Sequence, residues 1–406
     1  MVFDLGYSIG LMSPEDDSPS IFVSAAEISG DIAGAYLVTA LRDACPGLRV
    51  FGCGGRRMAE AGARLVVGTT DFGVVGLFEV FGFIPRLFRA FFKIRNAIKQ
   101  EKPRVAVLIG YEGFHVPLAR WLRGKGIYTL SYLPPQVWLW GSLARPIARS
   151  YDEILAVVPD EVRVYEQAGA RVTFVGHYLK DRISSHREPR EQDEIRRKLG
   201  LKKSGTVVAL LPGSRRVEIE LLTSVLLATA RRLLDSQPDA QFVLPVAEPC
   251  YRELIQQQVK KQGLEGRVIL ADNGLDAMAI SQLALLASGT AALEAALLGL
   301  PMIIVYRLSW MTVAAVRLLQ VLRIIRYDCI GLPNLLLGKT VVQELHQDQA
   351  CPEQVTEAAL TLLTDSAKYE AMKAELMKIR DLLGAEDSSN KTAALLLRRT
   401  REAKPC

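Results

Sequence analysis

Short apolar runs alternating with helix-like stretches along nearly the whole chain constrain its fold more than any other feature. In the first half they are IFVSA at 21–25, LRVFGC at 48–53, VAVLIG at 105–110, YTLSYL at 128–133, EILAVV at 153–158 and VTFVG at 172–176. Runs of this kind read as strands buried on both faces. The stretches between them, such as 31–42, read as crossover helices, so the sheet is mostly parallel. The alternation resumes with TVVALL at 206–211, QFVLPV at 241–246, RVILA at 267–271, LALLAS at 283–288 and PMIIVY at 301–306. Between the halves, 184–204 is polar and charged, without sustained apolar periodicity at its start. The expected organisation is a disordered extension over 1–20, an α/β domain over 21–185, a second over 186–365 and a helical tail over 366–406. In sheets of this class, ligands gather at the C-terminal ends of the strands.

Composition excludes several function classes. The net charge of +6 is spread among 44 carboxylates rather than gathered in blocks, so no nucleic-acid partner is expected. The first 20 residues lack a cationic start followed by a long apolar run, so no secretion signal is read. The apolar stretches at 74–92 and 308–325 are broken by Arg86, Arg89, Arg317 and Arg323, short of the ~18 uninterrupted residues of a membrane span. Six scattered cysteines fit a reducing cytoplasm. With four histidines and no Asp-x-Asp pair, neither a metal nor another cofactor is expected.

Two strand-to-helix turns in the second half suit phosphate. LLPGSRR at 210–216 puts Gly213, Ser214 and Arg215 just after a strand, where backbone amides can face an anion and an arginine can clamp a diphosphate. The same residues also fit a tight turn with solvated arginines. ASGTAALEAALLGLP at 287–301 sets Ser288, Gly289 and Thr290 at a helix start, with Glu294 one turn on, in reach of ribose hydroxyls or answering the helix dipole. Asn334 lies in a Pro/Gly-bounded loop, where its amide can serve a ligand or its own turn. In the first half, SAAEISGD at 24–31 crowds Glu27, Ser29 and Asp31 at a helix start, either with Ser29 or Asp31 as N-cap or with a carboxylate beside the helix N-terminus placed at the cleft between domains. Finally, 75–99 combines Phe83, Phe88, Phe91 and Phe92 with Arg86, Arg89 and Lys93, a pattern for an anionic membrane surface or for a core-facing amphipathic helix.

In order, AEISGD at 26–31, GCGGRRM at 52–58, VGLFEV at 75–80, VWLW at 137–140, FVGHYL at 174–179, LLPGSR at 210–215, ASGTAALEAALLGLPM at 287–302, YR at 306–307 and GLPNLLLGK at 331–339 resemble the motifs of lipid-A-disaccharide synthases. The resemblance implies a GT-B fold: two Rossmann-like domains facing a central cleft, with C-terminal helices returning to the N-terminal domain. It implies an inverting transfer of 2,3-diacylglucosamine from a UDP-activated acylated glucosamine donor to a lipid acceptor, 2,3-diacylglucosamine 1-phosphate, giving a β-1,6 disaccharide and UDP. It further implies a homodimer with exchanged C-terminal segments, peripheral to the inner face of the inner membrane, needing no metal. Carried over by motif, Arg215, Ser288, Thr290, Glu294 and Asn334 would hold the uridine diphosphate, Glu27 and Ser29 would sit at the reacting centre, and His177 matches the family's Gly-His position.

One segment departs. Where the family has Asp-x-Pro-Asp-Phe-Asn, with an aspartate tied to catalysis, this chain has Gly110, Tyr111, Glu112, Gly113, Phe114 and His115. Beside it, Pro134, Pro135 and Gln136 replace the family's Ser-Pro-Ser. Three readings stay open: Glu112 or His115 serves as the base, the acceptor is a different lipid, or the chain is an inactive, membrane-associated nucleotide binder.

Overall fold

A computed structural model describes residues 19–68, 80–135, 144–184, 186, 188–202, 205–307, 331–384 and 386–403, with only the backbone for 80–86. The expected N-terminal extension up to 18, most of the VGLFEV segment, the VWLW motif and the apolar stretch at 308–325 lie outside the described residues.

Two parallel sheets form. The first contains β1 (Ser20–Ala25), β2 (Arg49–Gly54), β3 (Arg64–Gly68), β4 (Val105–Ile109), β5 (Tyr128–Tyr132), β6 (Glu153–Ala156) and β7 (Val172–Phe174), in the order β3-β2-β1-β4-β5-β6-β7. The second contains β8 (Val207–Leu211), β9 (Gln241–Pro245), β10 (Val268–Ala271), β11 (Leu283–Leu286), β12 (Met302–Tyr306) and β13 (Gln343–His346), in the order β10-β9-β8-β11-β12-β13. β1, β4, β8 and β11 are buried at every position, as strands covered on both faces must be. In each sheet the strand order reverses between two of these, β1 and β4 or β8 and β11, which opens a crevice at their C-terminal ends.

The apolar interior is continuous between the domains. Leu179 and Ile183 of the first join Leu293 and Leu297 of the second, with Leu376, Leu383 and Leu396 from the tail, in one buried cluster. The tail divides its contacts. Helix Ser366–Leu382 packs on helix Thr290–Leu298 of the second domain, and helix Ser388–Glu402 packs on helix Ile28–Ala44 of the first. Within the tail expected over 366–406, it is mainly the helix after 382 that packs on the first domain, while Leu376 and Ile379 of the helix before it are buried in the shared cluster.

The crossing is pinned by Asp181, whose carboxylate accepts the N–H groups of Asp387 at 2.6 Å, Ser388 at 3.3 Å and Ser389 at 2.9 Å. These are donors that a helix start leaves without internal partners. Asp31 works the same way. Neither it nor Ser29 caps its own helix, where Glu27 holds the N-cap position. Its buried carboxylate instead takes the N–H groups of Gly55 at 2.6 Å, Arg57 at 3.1 Å and Met58 at 3.1 Å, starting helix Arg56–Glu60.

Candidate functional site

Four strand-to-helix transitions meet at the crevice between the domains: those after β1 and β4 on one side and after β8 and β11 on the other. A cavity of about 220 Å³ lies there, lined among others by Glu27, Ser29, Tyr111, His177 and Thr290. Glu27 and Arg215 bridge the domains, with Oε2 to Nη2 at 3.5 Å. Two residues expected on opposite partners of a transfer reaction thus neutralise each other across the crevice.

On the first domain, Gly110 (φ 57°) and Tyr111 (φ 53°) are consecutive left-handed residues. For tyrosine that conformation is uncommon and needs support. His115 supplies it: Nδ1 bonds the Gly110 carbonyl, and Nε2 lies 2.9 Å from Ser24 Oγ. The ring is fully buried and away from the cavity lining, and burial pushes it down to about 4, so it is neutral. Nδ1–H donates to the carbonyl, and Nε2 accepts from the serine. Glu112 opens helix Glu112–Arg123, and its Oε1 is buried without a hydrogen-bond partner among the described residues. Burial, and then the charge of Glu27, push its carboxyl up to about 8.

On the second domain, Gly213 adopts φ 111°, and a side chain there would run into Glu218. Glu218 also takes the amides of Ser214 at 3.1 Å and Arg215 at 3.2 Å. Those two N–H groups therefore cap helix Arg216–Ser236 instead of facing an anion, and what the turn offers is the Arg215 side chain. Gly289 precedes helix Thr290–Leu298, whose first N–H groups lack intrahelical partners. Ser288 precedes it, and Thr290 faces the cavity. Glu294, also buried, pairs through Oε1 with Arg182 of the first domain, and among the described residues no hydrogen bond engages its Oε2. Burial pushes its carboxyl up, and Arg182 draws it partly back.

Asn334 lies in helix Leu332–Leu337 rather than in a loop, and all its amide capacity is used internally. Nδ2 donates to Val342 O and Glu344 Oε1 at 2.8 and 2.7 Å, and Oδ1 accepts from Val341 and Val342, both at 2.8 Å. Sequence reasoning missed Arg182 and Glu218. Glu218 was findable, three residues after Arg215 at capping-box spacing. Arg182 was not, because its partner is 112 residues away.

Helix Val80–Glu101 presents two faces. Ala90, Ile94, Ala97 and Ile98 are core, and Phe91 is half-buried with its ring 5.4 Å from that of Trp121. Phe88 and Phe92, one turn apart, are 61% and 54% exposed, and Arg89 and Lys93 are exposed beside them. Phe91 thus belongs mainly to the protein interior. The side chains of Phe83 and Arg86 are outside the described residues. No described helix is long and apolar enough to cross a membrane.

Comparison with known proteins agrees with this geometry. A family model described as lipid-A-disaccharide synthetase matches residues 21–397. The lipid-A-disaccharide synthase of Geobacter sulfurreducens is 38% identical over 94% of this chain and 98% of its own length, and that of Syntrophus aciditrophicus is 36% identical over the same shares. Among solved structures, a UDP-N-acetylglucosamine 2-epimerase from Listeria monocytogenes superposes with TM-score 0.67 at 13% identity, covering 96% of this chain and 98% of that one. The UDP-GlcNAc 2-epimerase of Neisseria meningitidis, bound to UDP-GlcNAc, does so with TM-score 0.64 at 13% identity, covering 94% and 99%. These likenesses speak to the fold. With two Rossmann-like domains closing on one crevice and a family match across nearly its whole length, this chain belongs to the lipid-A-disaccharide synthase family of GT-B hexosyltransferases.

Proposed function

We propose that the chain transfers the 2,3-diacylglucosaminyl group of UDP-2,3-diacylglucosamine to 2,3-diacylglucosamine 1-phosphate. Glu112 takes the proton of the acceptor hydroxyl, whose oxygen forms the bond to the anomeric carbon. The bond to the diphosphate breaks on the opposite face, which inverts the centre and releases UDP. The observation that carries this reading is the buried, unpartnered Oε1 of Glu112 in the segment that departs from the family pattern. Such an atom costs stability and serves no bond within the fold, as expected of a group kept for chemistry. His115, with both nitrogens engaged, supports the turn that carries Glu112 and is the weaker candidate.

Arg215 and the start of helix Thr290–Leu298 stabilise the leaving diphosphate, and Ser288 and Gly289 shape that approach. Glu294 Oε2 receives the ribose hydroxyls, with Asn334 as a brace for the neighbouring loop. Ser29 borders the acceptor side. Purified protein given both substrates should release UDP in a coupled assay, and no release at any pH from 6 to 9 would overturn the reading. Arg215→Ala should raise the donor KM by about 10–100-fold, the worth of a hydrogen bond to a charged group.

Phe88 and Phe92, with Lys93 beside them, are proposed to dock the enzyme on an anionic membrane surface. Burying each phenylalanine contributes about 1.5–3 kcal/mol. The Phe88→Asp/Phe92→Asp variant should therefore lose at least about tenfold in sedimentation with phosphatidylglycerol vesicles while keeping its activity on detergent-dispersed substrate. Unchanged sedimentation would remove this face from the proposal.

A further inference from the structure

We propose that His177 donates a hydrogen bond from Nε2–H to a diphosphate oxygen of the sugar nucleotide in the cleft, acting as a neutral donor rather than as an acid, a base or a packing residue. This rests on the transfer reading above. The imidazole is held from several sides. The preceding residue, Gly176, accepts a bond from Ser388 Oγ at 2.8 Å, and the His177 N–H donates to Leu383 O at 3.3 Å, so the backbone is tied to the tail crossing on both sides. The ring stacks on Tyr178, with centroids 5.1 Å apart and planes 25° apart.

Nδ1 accepts the N–H of Leu179 at 3.2 Å. A nitrogen that accepts cannot also carry the proton, so the neutral ring must be protonated at Nε2. Burial pushes the imidazole down to about 3, so this tautomer persists through the working pH range. His177 is 6% exposed, it lines the cavity that Thr290 also lines, and among the described residues no hydrogen bond engages Nε2. Helix Leu179–Ile183, which begins two residues later, packs on helix Thr290–Leu298. The imidazole thus shares its cavity with the helix start proposed to receive the diphosphate. A neutral donor adds a bond there without burying another charge, and that bond strengthens as charge grows on the leaving phosphate.

The test separates Nε2 from Nδ1. Asparagine reaches only as far as Nδ1 and keeps the acceptor for Leu179, whereas glutamine reaches as far as Nε2 and keeps the donor. His177→Asn should lose about 10²-fold in kcat with a smaller change in donor KM, and His177→Gln should stay within about fivefold of the parent. Full activity in the asparagine variant, or equal losses in both, would overturn the inference. If the wild-type protein itself releases no UDP, the transfer reading fails instead. A readout independent of turnover and of any variant is imidazole nitrogen NMR on ¹⁵N-histidine-labelled wild-type protein. Saturating UDP should shift the Nε2–H signal of His177, and an unmoved signal under UDP that does bind would sink the proposal.

Discussion

Replacing Glu112 by glutamine is expected to lower kcat by about 10²–10⁴-fold, the usual contribution of a positioned base, while UDP affinity stays within a few-fold. The substitution keeps shape and removes only the ability to take a proton. Since burial and the charge of Glu27 push this carboxyl up to about 8, it is mostly protonated at neutral pH. The wild-type kcat/KM should therefore climb through pH 7 and level off above about 8, where the carboxylate predominates. In the glutamine variant that ascending limb should be absent. A residual rate that keeps the limb would assign it to another group.

The same group makes a second, independent measurement available. A carboxyl whose folded pKa is raised stabilises the fold fully below its unfolded value, near 4.5, and that contribution is lost as pH rises through about 8. Glutamine, which never ionises, does not incur this loss. Thermal melts of the variant and the parent should converge near pH 4.5 and separate progressively towards pH 8, with the less active protein the more stable. A gain in stability with a loss of turnover would distinguish a base from a structural carboxylate, whose removal lowers both.

The interior strands were legible because each is a run of apolar residues long enough to be buried on both faces. Of the four edge strands, β7 and β10 were legible in the same way, and β3 and β13 were not. β13, QELH, buries only Leu345, and its pairing with β12 is carried by backbone groups that composition does not reveal. β3, RLVVG, is half-covered and follows a five-residue helix too short to give a period. At the site, the positions of Glu27, Glu112, Arg215 and Thr290 could be read because a glycine-bearing turn after a central strand is a local pattern. Their bonding could not. Whether the Ser214 amide meets an anion or Glu218, and whether Glu294 stands alone or against Arg182, depends on side chains brought together by folding. Phe91 illustrates the intermediate case. The helical period placing Ala90, Ile94, Ala97 and Ile98 on one face already sets Phe91 beside the core and Phe88 and Phe92 away from it.

Truncating Arg399 to alanine should be the most damaging single change to stability away from the crevice. Arg399 lies on the last helix and forks onto Glu153 at the start of β6, Nε to Oε2 at 2.8 Å and Nη2 to Oε1 at 3.0 Å, with both side chains buried. Burial pushes Glu153 up, but the bonds from Arg399, then Thr173 and Tyr128, outweigh it and hold the carboxyl below its ordinary value. Without Arg399, the buried carboxylate keeps two neutral donors and the exposed Arg171, whose Nε lies 3.7 Å from Oε1, but loses its buried, forked counter-charge. Breaking a buried pair in this way typically costs about 3–5 kcal/mol, with Arg171 holding the loss towards the lower end. The loss should be local first. The tail crosses between domains just before this helix, so denaturant titration should show a lowered midpoint, and limited proteolysis should cut near 386 before the sheets open. The depressed carboxyl also sets the sign with pH: the pair's contribution is present above the unfolded value of 4.5 and disappears as pH falls through the lower folded one. The gap between parent and Arg399→Ala should therefore close in acid. A Glu153→Leu/Arg399→Met double variant should recover most of the loss, because a well-packed apolar pair avoids the desolvation that an ion pair must offset. Equal instability in the single and double variants would mean that the fork's geometry, rather than its charge balance, holds the tail in place.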